Sequence, residues 1–340
     1  MSILPEDLRA AVQRGIVTEA QSAQLIGLAM ARQTAKQGVA AAEEPFVLFK
    51  GFNEIFVVVG LTILFIGWVG VATLMGLDIE GPAGVTTIVL SAVTIGGLAA
   101  LGRYFTTTRR MVAPSIALSV MTALSAAVMG FALIGSPLGE NTLALVALFV
   151  ALVMTGHYYV FRIPFSAAII AGAAYSALLA AWAMWGGSDF GLTALTVAFG
   201  LGIFALAMRL DLTDPMRVST RSATAFWLHV VAAPAIVNSV AMRLLENGSV
   251  GAQATMLAFL LLIAVVAVVI DRRSFLISGA GYSVALAATL FDGGAAIAIL
   301  ILGLGLVLLG AGWDRLRARL MTALPDFPGK SNLPAYGVTE

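Results

Sequence analysis

Residues 50–103 read KGFNEIFVVVGLTILFIGWVGVATLMGLDIEGPAGVTTIVLSAVTIGGLAALGR, and this stretch decides the fold. Lys50 and Arg103 bracket two long apolar runs, parted by a turn that holds Asp78, Glu80, Gly81 and Pro82. A helix needs about 20 mostly apolar residues to cross a bilayer, and each run has that length. A membrane barrel would instead show segments of about ten residues that alternate apolar with polar. The runs are apolar on every side, so the stretch reads as a hairpin of two spanning helices with basic residues at both ends.

The same unit recurs along the chain. Arg103/Arg109/Arg110, Arg162, Arg209/Arg217/Arg221, Arg272/Arg273 and Arg315/Arg317/Arg319 mark the ends of further apolar pairs. Ten spans result: 54–76, 83–102, 112–134, 141–161, 164–185, 190–209, 222–245, 252–270, 274–291 and 294–313. Composition agrees: 60% of the 340 residues are hydrophobic and 11% charged, against roughly 25% charged in soluble domains. An all-α polytopic membrane fold is therefore expected. Lys and Arg are retained on the cytoplasmic side. With the N-terminus inside, every basic residue but Arg243 falls there, so both termini are expected to be cytoplasmic. The opening Met1-Ser-Ile-Leu-Pro5 lacks the basic start and short apolar run of a cleaved signal. The absence of cysteine excludes disulfides and thiolate metal sites.

Three regions follow. Residues 1–50 read as a cytoplasmic helical hairpin and linker. Pro5 suits a first helical turn, Gly15 a C-terminal cap, and Thr18 with Gln21 a capping box. Leu8, Val12, Ile16, Leu25, Ile26 and Leu28 give an apolar seam too small to make a core alone. Residues 51–313 form the membrane domain. In 314–340, Leu316, Leu320 and Leu324 beside three arginines predict an amphipathic interfacial helix, stopped by Pro325 and followed by an irregular tail.

Within the membrane domain, Gly172-Ala-Ala-Tyr175-Ser176 aligns with Gly279-Ala-Gly-Tyr282-Ser283 at an offset of 107, and Arg110 to Arg221 and Arg162 to Arg273 are each offset by 111. These matches suggest that 110–209 and 221–317 are two copies of a four-helix unit, parallel in the membrane. Coincidence among Ala- and Gly-rich helices is the competing explanation.

Candidate pathway residues come from the polar seventh span and the repeat. His229, Asn238 and Trp227 share that span with Pro234, and an ionisable residue inside a membrane is a functional candidate by default. A neutral histidine also serves simply as an interhelical hydrogen-bond partner. Tyr175 and Tyr282 lie away from the interface that tyrosine prefers, and either line a cavity between the copies or satisfy a backbone carbonyl of a neighbouring helix. Glu54 opens the first span, where the helix N-terminus favours a carboxylate and Lys50 one turn earlier can pair with it, and it reads as a solvated cap. Gly60, Gly67, Gly70, Gly303, Gly305, Gly310 and Gly312 suit close helix approach. Asn247-Gly248-Ser249 reads as a turn. No Gly-x-Ser-x-Gly or His-Glu-x-x-His motif is present and no cofactor or metal is expected.

Arg14-Gly-Ile-Val-Thr18-Glu-Ala-Gln21, Gly60-Leu-Thr-Ile-Leu-Phe-Ile-Gly67 and Gly310-Ala-Gly-Trp313-Asp-Arg-Leu-Arg317 resemble a bacterial multi-pass membrane family catalogued as domain of unknown function 2157. The resemblance implies a bacterial inner-membrane protein and transfers no site, since the family has no established activity. The leading expectation from the residues is a transporter or channel-like protein for a small neutral or amphipathic solute. The alternative is a non-transporting scaffold or accessory subunit, docking a protein partner through residues 1–45. The lipid bilayer is the other partner, and no nucleic acid is expected.

Overall fold

The computed structural model describes parts of segment 8–28 and residues 52–77, 84–134, 139–217, 219–290, 295–334 and 336. Among them there are helices and turns and no strand. Numbered from the first long helix, these are α1 (Phe52–Leu74), α2 (Val85–Gly102, continued by a π-helical Arg103–Thr108), α3 (Val112–Ile134), α4 (Glu140–Phe161), α5 (Pro164–Met184), α6 (Asp189–Leu212), α7 (Thr220–Asn247), α8 (Val250–Ile270), α9 (Ser274–Leu290), α10 (Ala295–Ala311) and α11 (Trp313–Ala323). Eight of them, α1 to α8, are long and apolar enough to cross a membrane. Helix α9 is apolar but shorter, and α10 turns into α11 through a 78° bend.

The distribution of side chains suits a lipid surround. Large apolar residues point outward, among them Leu152 at 70% and Ile63 at 66% exposure, while Ala126, Ala207, Ala232 and Ala267 are fully enclosed. Along the inner face of α3, Ser119, Thr122 and Ser125 donate to the carbonyls of Ser115, Leu118 and Met121. Hydroxyls that satisfy themselves on their own helix can be buried without a partner elsewhere. The chain has the build of a multi-pass membrane protein.

Packing follows a simple order. The odd helices form a row in which α1 touches α3, α3 touches α5, α5 touches α7 and α7 touches α9; α4, α6, α8 and α10 each lean on both odd neighbours, and α2 leans chiefly on α3. Helices α3 and α7 are the most enclosed spans. Helix α7 runs unbroken from Thr220 to Asn247 through Pro234. The chain reverses with left-handed backbone at Arg110 (φ 49°), Arg162 (φ 51°), Arg217 (φ 52°) and Asp271 (φ 57°) after α2, α4, α6 and α8. On the opposite side glycine takes that conformation, at Gly76, Gly186 and Gly248.

Several local expectations meet detail here. The Thr18 and Gln21 capping box forms, with reciprocal bonds of 2.8 and 3.2 Å, and Gly15 is left-handed at φ 68°. Ile16, Leu25 and Leu28 of the expected seam are exposed; Pro5, Ile26, Lys50 and the 38–44 linker lie outside the described residues. Asn247-Gly248-Ser249 is a turn in which Ser249 caps α8 through the Ala252 N–H. Glu54 is not a solvated cap. It is buried, and its Oε2 accepts the Ala113 N–H at the start of α3, 3.1 Å away. Of the glycines expected to permit close approach, six have no described neighbour there: around Gly60, Gly67, Gly70, Gly303, Gly305 and Gly310 a β-carbon would meet open space among the described residues. Tight crossings occur at Gly130 against α4 and at Gly200 against α7. In α11 the inward face is Trp313, Arg317, Ala318 and Met321 rather than Leu316. The tail is pinned back: Arg317 donates to the Pro334 carbonyl and Lys330 Nζ to that of Leu324, each at 2.7 Å.

Candidate functional site: a buried ion cluster on the basic side

Asp211, in the last turn of α6, is the hub of a cluster that ties three chain segments together. Its Oδ2 accepts from Arg272 Nε at 2.9 Å and from His229 Nε2 at 3.0 Å, and its Oδ1 accepts from Arg272 Nη2. That same Nη2 lies 3.2 Å from the Ser222 carbonyl. All three side chains are closed off from solvent, with 5% exposure at Asp211, none at His229 and 7% at Arg272. A bidentate arginine is the partner that best repays the loss of carboxylate hydration.

Local structure explains why these groups meet. At the end of α8, the Arg272 N–H bonds the Ala267 carbonyl and the Asp271 N–H the Val268 carbonyl. This is the Schellman pattern, with left-handed Asp271 where glycine is usual. The turn stops α8 and delivers Arg272 beneath α6. Gly200 lets α6 lie against α7, since a β-carbon there would stand 2.8 Å from Ile236 Cγ1. The connection from α6 to α7 is tied by Asp214, whose Oδ2 accepts the Ser219 N–H at 2.8 Å and the Ser219 hydroxyl at 2.7 Å.

A second layer surrounds the first. Arg217 Nη1 donates to Asp271 Oδ2 at 2.8 Å, and its Nη2 donates to the Asp271 carbonyl at 3.1 Å. Trp313 Nε1 donates to Asp271 Oδ1 at 2.7 Å, joining α11 to the network. Burial, followed by the charge of Arg272, pulls the Arg217 guanidinium below its ordinary pKa, while Asp271 opposes that pull.

His229 carries its proton on Nε2 when neutral, because that nitrogen faces a carboxylate that can only accept. Its Nδ1 is buried without a partner. The ring lies edge-on to Phe204 and Phe275, at centroid distances of 5.5 and 5.9 Å. With the imidazole neutral, the three side chains sum to no net charge. Such an arrangement holds helix ends together and offers no open face to a solute. Among the described residues no three His, Asp or Glu side chains are placed to hold a metal ion.

The described contacts place the five residues singled out from the sequence in separate packing environments. His229 stands level with the last turn of α6, where it meets Asp211, nine residues into α7. Asn238 is exposed on the far face of α7. Trp227 packs edge-on against Phe165 of α5, with centroids 4.6 Å apart. Tyr175 gives its hydroxyl to Thr196 on α6 at 2.9 Å, since the Thr196 proton is already on the Leu192 carbonyl. Tyr282 packs half-buried against the cluster that contains Phe275 and Leu286.

Comparison with known proteins adds no relative. A scan against protein-family models, a search of curated proteins and a search of solved structures each found no match.

Asp211, Arg217, Asp271 and Arg272 escape a sequence reading that treats charges near span ends as topology marks. One signal was available: Asp211, Asp214 and Asp271 are acids set among arginines on the basic side, where an acid calls for a partner.

Proposed function

We propose that this protein is a non-transporting membrane scaffold or accessory subunit of a bacterial inner membrane, and that residues 1–45 present its docking segment in the cytoplasm. The observation that carries the reading is close apolar packing where a pathway between the copies would run. Leu228 packs with Ala171 and Ala207, Gly200 accepts Ala235 and Ile236, and Tyr175 is satisfied by Thr196. A solute pathway requires convergent polar groups around a cavity. The exposed Ile16, Leu25 and Leu28 suit a segment that buries its seam on a partner.

Ten spans, a parallel repeat and membership of the family resembled above belong to the same proposal. Helices of 17 residues, as α9 and α10 are, reach the lower limit for crossing a bilayer. The repeat gains support from the left-handed turns: Arg110 and Arg217 lie 107 residues apart, and Arg162 and Asp271 lie 109 apart. Helices α3 and α7, which would open the two copies, also make the same contacts, each with the next two helices.

A transporter is the competing reading, and the cysteine-free chain separates the two. Single cysteines at Tyr175, Trp227 and Tyr282 are probed with a membrane-impermeant maleimide in sealed vesicles of either orientation. A scaffold leaves all three unlabelled from both sides. Labelling of the same position from both sides overturns the proposal in favour of a pathway.

A further inference from the structure

We infer that the groove between α2 and α4 is a binding site for an anionic phospholipid, with the phosphate at Arg103 and an acyl chain along the groove. The cavity measures about 400 Å³. Its form follows from the packing order. Both α2 and α4 rest on α3, and they approach each other chiefly at the basic-side end of α2, where Gly102 and the π-helical turn reach α4. Above that closure a cleft stays open sideways, toward the lipid. Its walls are cut back to small residues, Gly96, Ala99 and Ala100 on α2 and Gly156 on α4, and Thr122 of α3 lies at its floor.

The polar end is equally specific. Arg103 lines the groove at its basic-side end, beside His157 and Phe161. The closure is tight there, as a β-carbon on Gly102 would stand 3.1 Å from the Phe161 ring. The π-helical turn places Arg103 where α2 widens, its carbonyl held by the Thr107 and Thr108 hydroxyls. π-helical turns of this kind are often found at functional sites. His157 bonds Ser166 of α5 through Nδ1 at 3.2 Å. If Ser166 donates, His157 Nε2 carries a hydrogen that a phosphate or ester oxygen can accept.

Length and charge choose the occupant. From Ile95 to Arg103 the groove runs roughly 12 Å along α2 at 1.5 Å per residue, enough for much of one acyl chain in one leaflet. The 103–111 connection at its mouth contains three arginines and no acid. A phosphate with no compensating amine is the complementary headgroup.

The full chain is reconstituted in nanodiscs of equal parts phosphatidylglycerol and phosphatidylcholine, and lipid retained on the protein is counted by native mass spectrometry. One phosphatidylglycerol is retained in preference to phosphatidylcholine. Arg103→Gln lowers that preference about five-fold, as removal of ~1 kcal/mol of attraction does, whereas Arg162→Gln, outside the groove, leaves it unchanged. Gly156→Leu, which grows into open space, displaces the lipid while the protein stays folded by circular dichroism. Equal retention of the two lipids, or equal losses in Arg103→Gln and Arg162→Gln, overturns the assignment. Because Arg103 is exposed, its substitution tests the site even if Gly156→Leu does not fold.

Discussion

Arg217 and Asp271 hold each other in place, and each does so from a left-handed backbone. The guanidinium of Arg217 spans the Asp271 carboxylate and main-chain carbonyl, and the carboxylate in turn takes the Trp313 N–H. A non-glycine residue in this conformation costs about 1–2 kcal/mol, so the contact must over-determine the geometry. One aspartate thereby fixes the α6–α7 connection, the α8–α9 connection and the start of α11.

Substituting Asp271 should separate these roles. Asp271→Ala removes the anion from Arg217 and the acceptor from Trp313, and loses a residue that tolerates a left-handed turn. A buried pair broken from one side costs roughly 3–5 kcal/mol, but Arg217 and Asp271 are about a quarter exposed, which lowers the expectation to about 2 kcal/mol. Asp271→Asn keeps the turn and an acceptor, and should lose about half as much. Chemical unfolding in detergent micelles measures both; equal losses would assign the whole effect to charge.

The Asp211 cluster should behave as a unit. Asp211→Ala leaves Arg272 charged and sealed, so about 3–5 kcal/mol is lost. Arg272→Met strands the carboxylate and costs a similar amount. The double variant Asp211→Leu with Arg272→Met removes both charges and should recover most of the loss, as replacement of a buried pair by apolar residues often does. The coupling is read from the four unfolding free energies, and additive losses would show that the two residues act independently.

Eight spans were legible because their signal is bulk composition over about twenty residues, with arginines to mark the turns. Their junctions were not. Asp211 lay just past the expected end of the sixth span, and α6 reaches Leu212 because a partner enclosed by other helices allows one more polar turn. His229 drew notice as a lone ionisable group, yet its partner is 18 residues earlier across a chain reversal, and Arg272 is 61 residues from Asp211. No local pattern encodes such a meeting. Glu54 failed for the same reason, its acceptor role being toward Ala113 on another helix. The glycines misled because spacing reveals a smooth helix face without saying what lies against it.

Two glycines make that distinction measurable. At Gly200 an added β-carbon would stand 2.8 Å from Ile236 Cγ1 and 3.0 Å from Ala235, with α7 too enclosed to retreat. Gly200→Ala should cost about 1–3 kcal/mol through overpacking, and should loosen the α6–α7 contact that brings Asp211 to His229. At Gly67 a β-carbon meets open space, so Gly67→Ala should be neutral or stabilise the helix by up to about 1 kcal/mol. If Gly67→Ala is the more damaging of the two, α1 has a close partner outside this chain.

The left-handed arginines give the last contrast. Arg162 caps α4 at φ 51° through its N–H to the Tyr158 carbonyl, and its side chain is exposed. Arg162→Gly keeps that bond and relieves the backbone, so it should stabilise the fold by about 1 kcal/mol. At Arg217 the backbone is in the same region, but glycine there also deletes the guanidinium that Asp271 requires. Arg217→Gly should therefore destabilise, the lost contact outweighing the relieved strain. Thermal unfolding of the two variants in the same detergent should move in opposite directions. A shift of the same sign in both would mean that Arg217 and Asp271 are tolerated as neighbours rather than holding the turn.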